Sequence, residues 1–214
     1  MNDRTIVVST HGRYLVDAPS AGGPRPALVG FHGYAEAAET QLARLRRAAG
    51  TDRWLLVAVQ GLHRFYRART EDVVAGWMTR QDRELAIADN LAYVAAVTQA
   101  VASEWRTDGR VVFAGYSQGV AMAFRAAAAS NADGVIALGG DVPPELDQAA
   151  LSSISRVLIA RGTRDDWYRP ETYEADLRRL RTAGTAVEAR TLDAAHEWTD
   201  EFSRAARDFL GCWR

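Results

Sequence analysis

Three stretches carry an apolar residue at every position: residues 111–114 (VVFA), 135–138 (VIAL) and 157–160 (VLIA). A strand with one wet face alternates polar and apolar side chains, so an uninterrupted apolar strand needs cover on both faces. Segments of helical patterning separate these runs. Residues 83–105 are the clearest example, with Ile87, Leu91, Val94, Val101 and Trp105 recurring at three- and four-residue steps. Strands alternating with helices predict an α/β chain: a mostly parallel sheet with helices on both faces.

The remaining segments extend this pattern. TIVVS (5–9) and GRYLVDA (12–18) read as an N-terminal antiparallel hairpin turning at His11 and Gly12. The turn-rich APSAGGPRP (18–26) leads into ALVGF (27–31), then a helix ending near Ala49. WLLVAVQ (54–60) is a strand, and residues 61–81 read as a long irregular loop. Further strands are expected at RVVFAG, GVIALGG, RVLIARG and AVEARTL, and helices over 118–129, 171–183 and 197–210. No linker, repeat or low-complexity tract interrupts the 214 residues, so one domain over 1–214 is expected. In such sheets a ligand sits outside the carboxyl ends of the strands.

One of those ends breaks the apolar pattern. Gly115-Tyr116-Ser117-Gln118-Gly119 fits G-x-S-x-G between a strand and a helix, the context of a nucleophile elbow. The motif alone is weak, because a plain strand-to-helix turn with Ser117 as helix cap has the same local sequence. A serine hydroxyl also needs a base. On this kind of sheet the partners follow in the order Ser, acid, His. Of His11, His32, His63 and His196, only His196 follows Ser117, and it lies just past a strand end. The acid is assigned to Asp165, after RVLIARG; Asp141, after VIALGG, is a rival, and Asp166 reads as a cap or surface charge. Oxyanion donors are expected from the backbone N–H groups of Gln118 and of Tyr34 in FHGYAE, which leaves His32 a structural role.

Together FHGYAE, AGYSQG, RGTRDDWY and AHEW resemble the phospholipase/carboxylesterase group of α/β hydrolases, which is similar to acyl-protein thioesterases. The resemblance spans about residues 27–209. It implies an α/β-hydrolase fold without a large lid domain, acting on carboxylic ester or thioester bonds through an acyl-enzyme. By motif position it implies Ser117 as nucleophile, Asp165 as acid and His196 as base, with Tyr34 and Gln118 as oxyanion donors. It also matches Trp77 to a tryptophan that family members carry after the long loop. Two positions depart from the family pattern: Arg161-Gly162 stands where His-Gly is usual, and Ala195-His196 where Gly-His is frequent. Neither departure removes a catalytic group.

Phe65, Trp77 and Met78 of the long loop are expected to wall an apolar substrate pocket. Arg64, Arg67 and Arg69 on that loop could draw an anionic substrate, but Glu71 and Asp72 make a solvated, balanced loop the simpler reading. All 26 basic residues are arginine, so a lysine nucleophile or Schiff base is excluded. A net charge of −1 argues against a general nucleic-acid binder. No cofactor or metal is expected. The partner is a small-molecule ester or thioester substrate, with no membrane span and with homodimerisation open. The N-terminal residues lack a signal-peptide pattern, and the single cysteine, Cys212, suits a reducing compartment, so a cytoplasmic location is expected. The competing readings are a ligand-binding protein that keeps this fold without turnover and a serine peptidase.

Overall fold

The structure is a computed structural model that describes residues 1–19, 23–50, 53–130 and 132–213. Its elements run, in chain order, β1 (Arg13–Asp17), β2 (Arg25–Phe31), α1 (Ala38–Ala49), β3 (Leu55–Gln60), β4 (His63–Tyr66), β5 (Val73–Gly76), α2 (Arg83–Glu104), β6 (Thr107–Tyr116), α3 (Gln118–Ser130), β7 (Gly134–Leu138), α4 (Gln148–Ser152), β8 (Arg156–Gly162), α5 (Pro170–Thr182), β9 (Ala186–Leu192) and α6 (Asp200–Leu210). Seven strands form one sheet in the order β1-β3-β2-β6-β7-β8-β9. β1 runs antiparallel to β3, and every other pairing in that sheet is parallel. This is the mostly parallel α/β sheet expected from the apolar runs.

Alternation of side chains along each strand explains those runs. Successive residues point to opposite faces of a sheet. Val29, Val57, Phe113, Val135 and Val157 enter one buried cluster with Val94, Val97 and Val101 of α2, Met122 of α3 and Leu177 of α5. Their neighbours Leu28, Leu56, Val112, Ile136 and Leu158 enter a second cluster with Leu45 of α1 and Phe202 and Phe209 of α6. Both faces are dry over the middles of the central strands, so the residues there are apolar, and polar side chains such as Gln60 and Arg161 fall at the strand ends. Truncating a fully buried member such as Phe113 to alanine removes transfer energy and leaves a cavity, at a cost of about 3–5 kcal/mol.

Several local expectations change. The antiparallel partner of β1 is β3, not residues 5–9. TIVVS forms no strand, and Ile6, Val7 and Val8 are exposed. Pairing Arg13 with Gln60 and Asp17 with Leu56 gives β1 its ladder within the main sheet. The loop over 61–81 is not wholly irregular, because β4 and β5 pair as a two-stranded antiparallel sheet. The last helix begins at Asp200 rather than near 197, because the Thr199 side chain accepts the Phe202 N–H and caps it there. The short α4 has no apolar period to announce it; Asp147 caps it by accepting the Ala150 N–H. Part of the turn read over 18–26, residues 20–22, lies outside the described residues. Helix α2 is long and apolar enough, by length and composition, to cross a membrane, but its Val94, Val97 and Val101 pack against the sheet.

Because β2, β6, β7, β8 and β9 are parallel in succession, their carboxyl ends open on one edge. The segments that leave them begin at His32, Ser117, Gly139, Thr163 and Asp193.

Candidate active site

Ser117 lies between the last residue of β6 and the first of α3, with a positive φ of 51°. An L-residue there is strained, and only its surroundings hold it. The two flanking glycines are required by close approach. A Cβ on Gly115 would lie 2.4 Å from the Gly119 carbonyl oxygen, and one on Gly119 would lie 2.2 Å from that of Phe31. Strand, turn and helix can pack this tightly only without those side chains.

Ser117 and His196 are 79 positions apart, yet the Ser117 Oγ hydroxyl donates to His196 Nε2 at 2.8 Å. The other ring nitrogen, Nδ1, donates to Asp165 Oδ2, also at 2.8 Å. A carboxylate only accepts, so Nδ1 carries the ring proton and Nε2 is free to accept from the serine. The second oxygen, Asp165 Oδ1, accepts the N–H groups of Trp167 and Tyr168 at 2.9 Å each. The acid side chain is 1% exposed and the histidine 21%. Asp141 and Asp166 are exposed, and neither holds His196. Arg161 fills the position where related motifs carry histidine. Its guanidinium is buried and donates to the carbonyls of Tyr168 and Asp165, closing the turn that presents the acid.

The two expected oxyanion donors lie on segments beside the serine. Gln118 opens α3, and the first N–H groups of a helix have no intrahelical acceptor. Tyr34 sits in the turn after β2. Beneath it His32 is fully buried and bonded through both nitrogens. Nε2 accepts the Gly61 N–H at 3.0 Å, which places the ring proton on Nδ1, where it donates to the Gly33 carbonyl at 2.7 Å. Burial lowers the His32 pKa, outweighing the Gly33 bond and the Glu36 charge. A neutral, fixed imidazole is the structural role expected of it.

The pocket residues behave differently from one another. Trp77 is fully buried, its ring 5.4 Å from Phe31 and 5.1 Å from His32 and its indole N–H donating to the His32 carbonyl. It supports the Tyr34 turn from below and offers no surface to a substrate, contrary to the sequence expectation. Its burial follows from its place at the end of β5, folded inward against the sheet. Phe65 is half-buried with its ring tilted against that of Tyr34 at 5.5 Å between centroids, and Met78 is half-buried. Sequence reasoning gave no role to Trp167, which is 84% exposed with its ring 6.5 Å from that of His196. It also passed over Gly139, where a Cβ would lie 3.1 Å from the His196 ring. A paired glycine at a strand's carboxyl end was the available signal for the latter. Arg64 and Arg67 are tied down by donating to the carbonyls of His11 and Ala35. Among the described residues, no three His, Cys, Asp or Glu side chains are grouped so as to hold a metal ion.

The model of the family described as Acetyl xylan esterase (AXE1) matches residues 8–143, well over half of the chain. The chain belongs to that family. It is an esterase of the α/β-hydrolase fold. The matched span includes Ser117 and ends before Asp165 and His196. Solved structures add the likeness of fold over nearly the whole length. A carboxylesterase from Mesorhizobium loti is 24% identical with a TM-score of 0.74, covering 94% of each chain. A Bacillus cereus carboxylesterase is 19% identical with a TM-score of 0.69, again covering 94% of each. Acyl-protein thioesterase 2 of Zea mays is 16% identical with a TM-score of 0.71, covering 94% of this chain and 99% of its own. The resemblance read from the four sequence motifs agrees with these neighbours. No curated protein matches the sequence.

Proposed function

We propose that this esterase hydrolyses small-molecule carboxylic esters through a covalent acyl-enzyme, with Ser117 as nucleophile, His196 as general base and Asp165 as the group that orients the imidazole. The observation that carries the proposal is the continuous relay of 2.8 Å contacts from Ser117 Oγ through His196 to Asp165. Oγ attacks the ester carbonyl while Nε2 takes its proton. The tetrahedral oxyanion is met by the N–H groups of Gln118 and Tyr34. Collapse breaks the bond to the alcohol, which leaves with the proton held by the imidazolium. Water then attacks the acyl-serine, gives one proton to Nε2, and the acid departs as Oγ recovers that proton.

A short acyl group, acetyl above all, suits the site. The family name points to acetyl esters, and Trp77, fully buried, adds no apolar wall for a long chain. Exposed Cys212 is compatible with a cytoplasmic location.

Ser117→Ala is expected to abolish labelling by a fluorophosphonate and to lower p-nitrophenyl acetate hydrolysis by about 10⁴-fold or more. Turnover retained in that variant would overturn the mechanism. Across p-nitrophenyl esters and acyl thioesters of rising chain length, rates should fall from acetyl onward; a maximum at long chains would refute the acetyl preference.

A further inference from the structure

A largely buried ion pair lies behind the site, bonded to the Tyr34 turn and stacked on Tyr116, which holds the His196 loop. Glu36 Oε2 accepts the Gly33 N–H at 2.8 Å, and so holds the turn that presents Tyr34. The far side of that turn is held by β5, where Ala35 donates to the Ala75 carbonyl and Ala75 donates to that of Glu36. Within it, Ala35 has a positive φ of 57°, a conformation an alanine keeps only when its neighbours impose it.

Arg44 of α1 grips the same carboxylate with two prongs, Nη1 to Oε2 at 2.6 Å and Nη2 to Oε1 at 2.8 Å. Its guanidinium lies 4.1 Å over the ring of Tyr116, the residue before Ser117. The Tyr116 hydroxyl donates to the backbone carbonyl of His196 at 2.7 Å, and the two rings are 5.2 Å apart. One arginine thus contacts the carboxylate that fixes the Tyr34 turn and the ring that fixes the His196 loop. The protonation states suit this work. Burial alone would push the Glu36 carboxyl up, but the hydrogen bonds and charge of Arg44 hold it below the usual range. Burial pushes the Tyr116 phenol up to about 12, so it stays a donor. The side chains of Arg44 and Glu36 are only 10% and 20% exposed, and a buried pair of this kind is a poor source of stability compared with apolar residues of equal volume. What it supplies is geometry.

We propose that Glu36 and Arg44 are positioning residues that set the Tyr34 oxyanion turn in register with the His196 loop. The proposal rests on the roles given above to Ser117, His196 and Tyr34. A displacement of about 1 Å in such a constellation can cost on the order of 10²-fold in rate, so the pair should be read in kcat and not in KM.

The test uses the full chain with Glu36→Gln, Arg44→Lys and Tyr116→Phe, each checked for folding by circular dichroism. Steady-state kinetics on p-nitrophenyl acetate and inhibition by phenylboronic acid, which becomes tetrahedral on the serine, are measured together. In folded variants kcat should fall about tenfold or more, KM should stay within about threefold, and the boronate inhibition constant should weaken in step with kcat. Arg44→Lys keeps the charge without the two-pronged grip and should not rescue. Glu36→Gln and Arg44→Lys should be non-additive, since both break the same two-pronged contact. If Glu36→Gln fails to fold, Arg44→Lys and Tyr116→Phe decide the matter on the same criteria. Variants with kcat and boronate affinity within about twofold of the parent, or with losses confined to KM, overturn the proposal while a fluorophosphonate-labelled parent leaves the mechanism standing. An unlabelled, inactive parent overturns both.

Discussion

Gln118 holds the main chain of Trp77: its Oε1 accepts the Trp77 N–H at 2.8 Å, while its Nε2 donates to the Met78 carbonyl at 3.1 Å. The residue proposed as a backbone oxyanion donor therefore uses its side chain to tie the end of β5 to the start of α3. Gln118→Ala leaves the backbone donor in place but strips a partner from the Trp77 N–H. A buried donor left unpaired costs about 1–3 kcal/mol, so the melting temperature should drop by several degrees while fluorophosphonate labelling persists. An unchanged melting temperature would show that this clamp is idle.

The choice of acid can be checked by comparing Asp165→Asn with Asp141→Asn. An amide at 165 cannot enforce the tautomer that leaves Nε2 unprotonated, and activity should fall on the order of 10³-fold or more. Asp141 is exposed and its amide should leave kcat/KM on p-nitrophenyl acetate within about twofold. The reverse pattern would move the acid to position 141.

Gly139 has a φ of +68°, and an added Cβ would lie 3.1–3.3 Å from His196 Cε1 and Nδ1 and from Asp165 Oδ2. Gly139→Ala must therefore strain the backbone, by about 1–2 kcal/mol, and also crowd the His196–Asp165 pair. Thermal unfolding should report the first effect and a lowered kcat the second. Normal kcat in a destabilised protein would show that the pair yields without harm.

His32 gives stability a pH dependence of known sign. Its folded pKa lies below the ordinary value of about 6.5 because the ring is buried, with the nearby Arg44 charge adding to the effect. The unfolded chain takes up the proton first as pH falls. The stabilisation is complete above about pH 6.5 and is lost as pH drops through the lower folded value. The melting temperature of the parent should fall between pH 7 and 5, and His32→Gln should show a shallower fall from a lower start. Parallel curves for the two proteins would rule this contribution out.

Much of this molecule could be read along the chain. The continuous apolar runs demanded a sheet buried on both faces, and the two clusters flanking it take alternate residues of the same strands. The glycines around Ser117 were explicable from the tightness of the turn, and chain order left His196 as the candidate base. What could not be read depended on neighbours distant in sequence. TIVVS has strand propensity but forms no strand, and β1 finds its antiparallel partner in β3, which no local pattern announces. Trp77 looked like a pocket wall, since an aromatic on a loop gives no sign of which way it faces. Asp165 and Asp141 both follow strand ends, and nothing local separates them.

Sequence by itself determined the alternation of the central strands and helices, the elbow and the kinds of chemical group available, because these depend on periodicity, on turn sterics and on composition. Tertiary structure decided which carboxylate stands behind His196, that Trp77 faces inward, and that Glu36, Arg44 and Tyr116 meet behind the site. The His196–Asp165, Trp77–His32 and Arg44–Tyr116 contacts join segments far apart along the chain, where distance is set by strand order and packing and not by sequence separation.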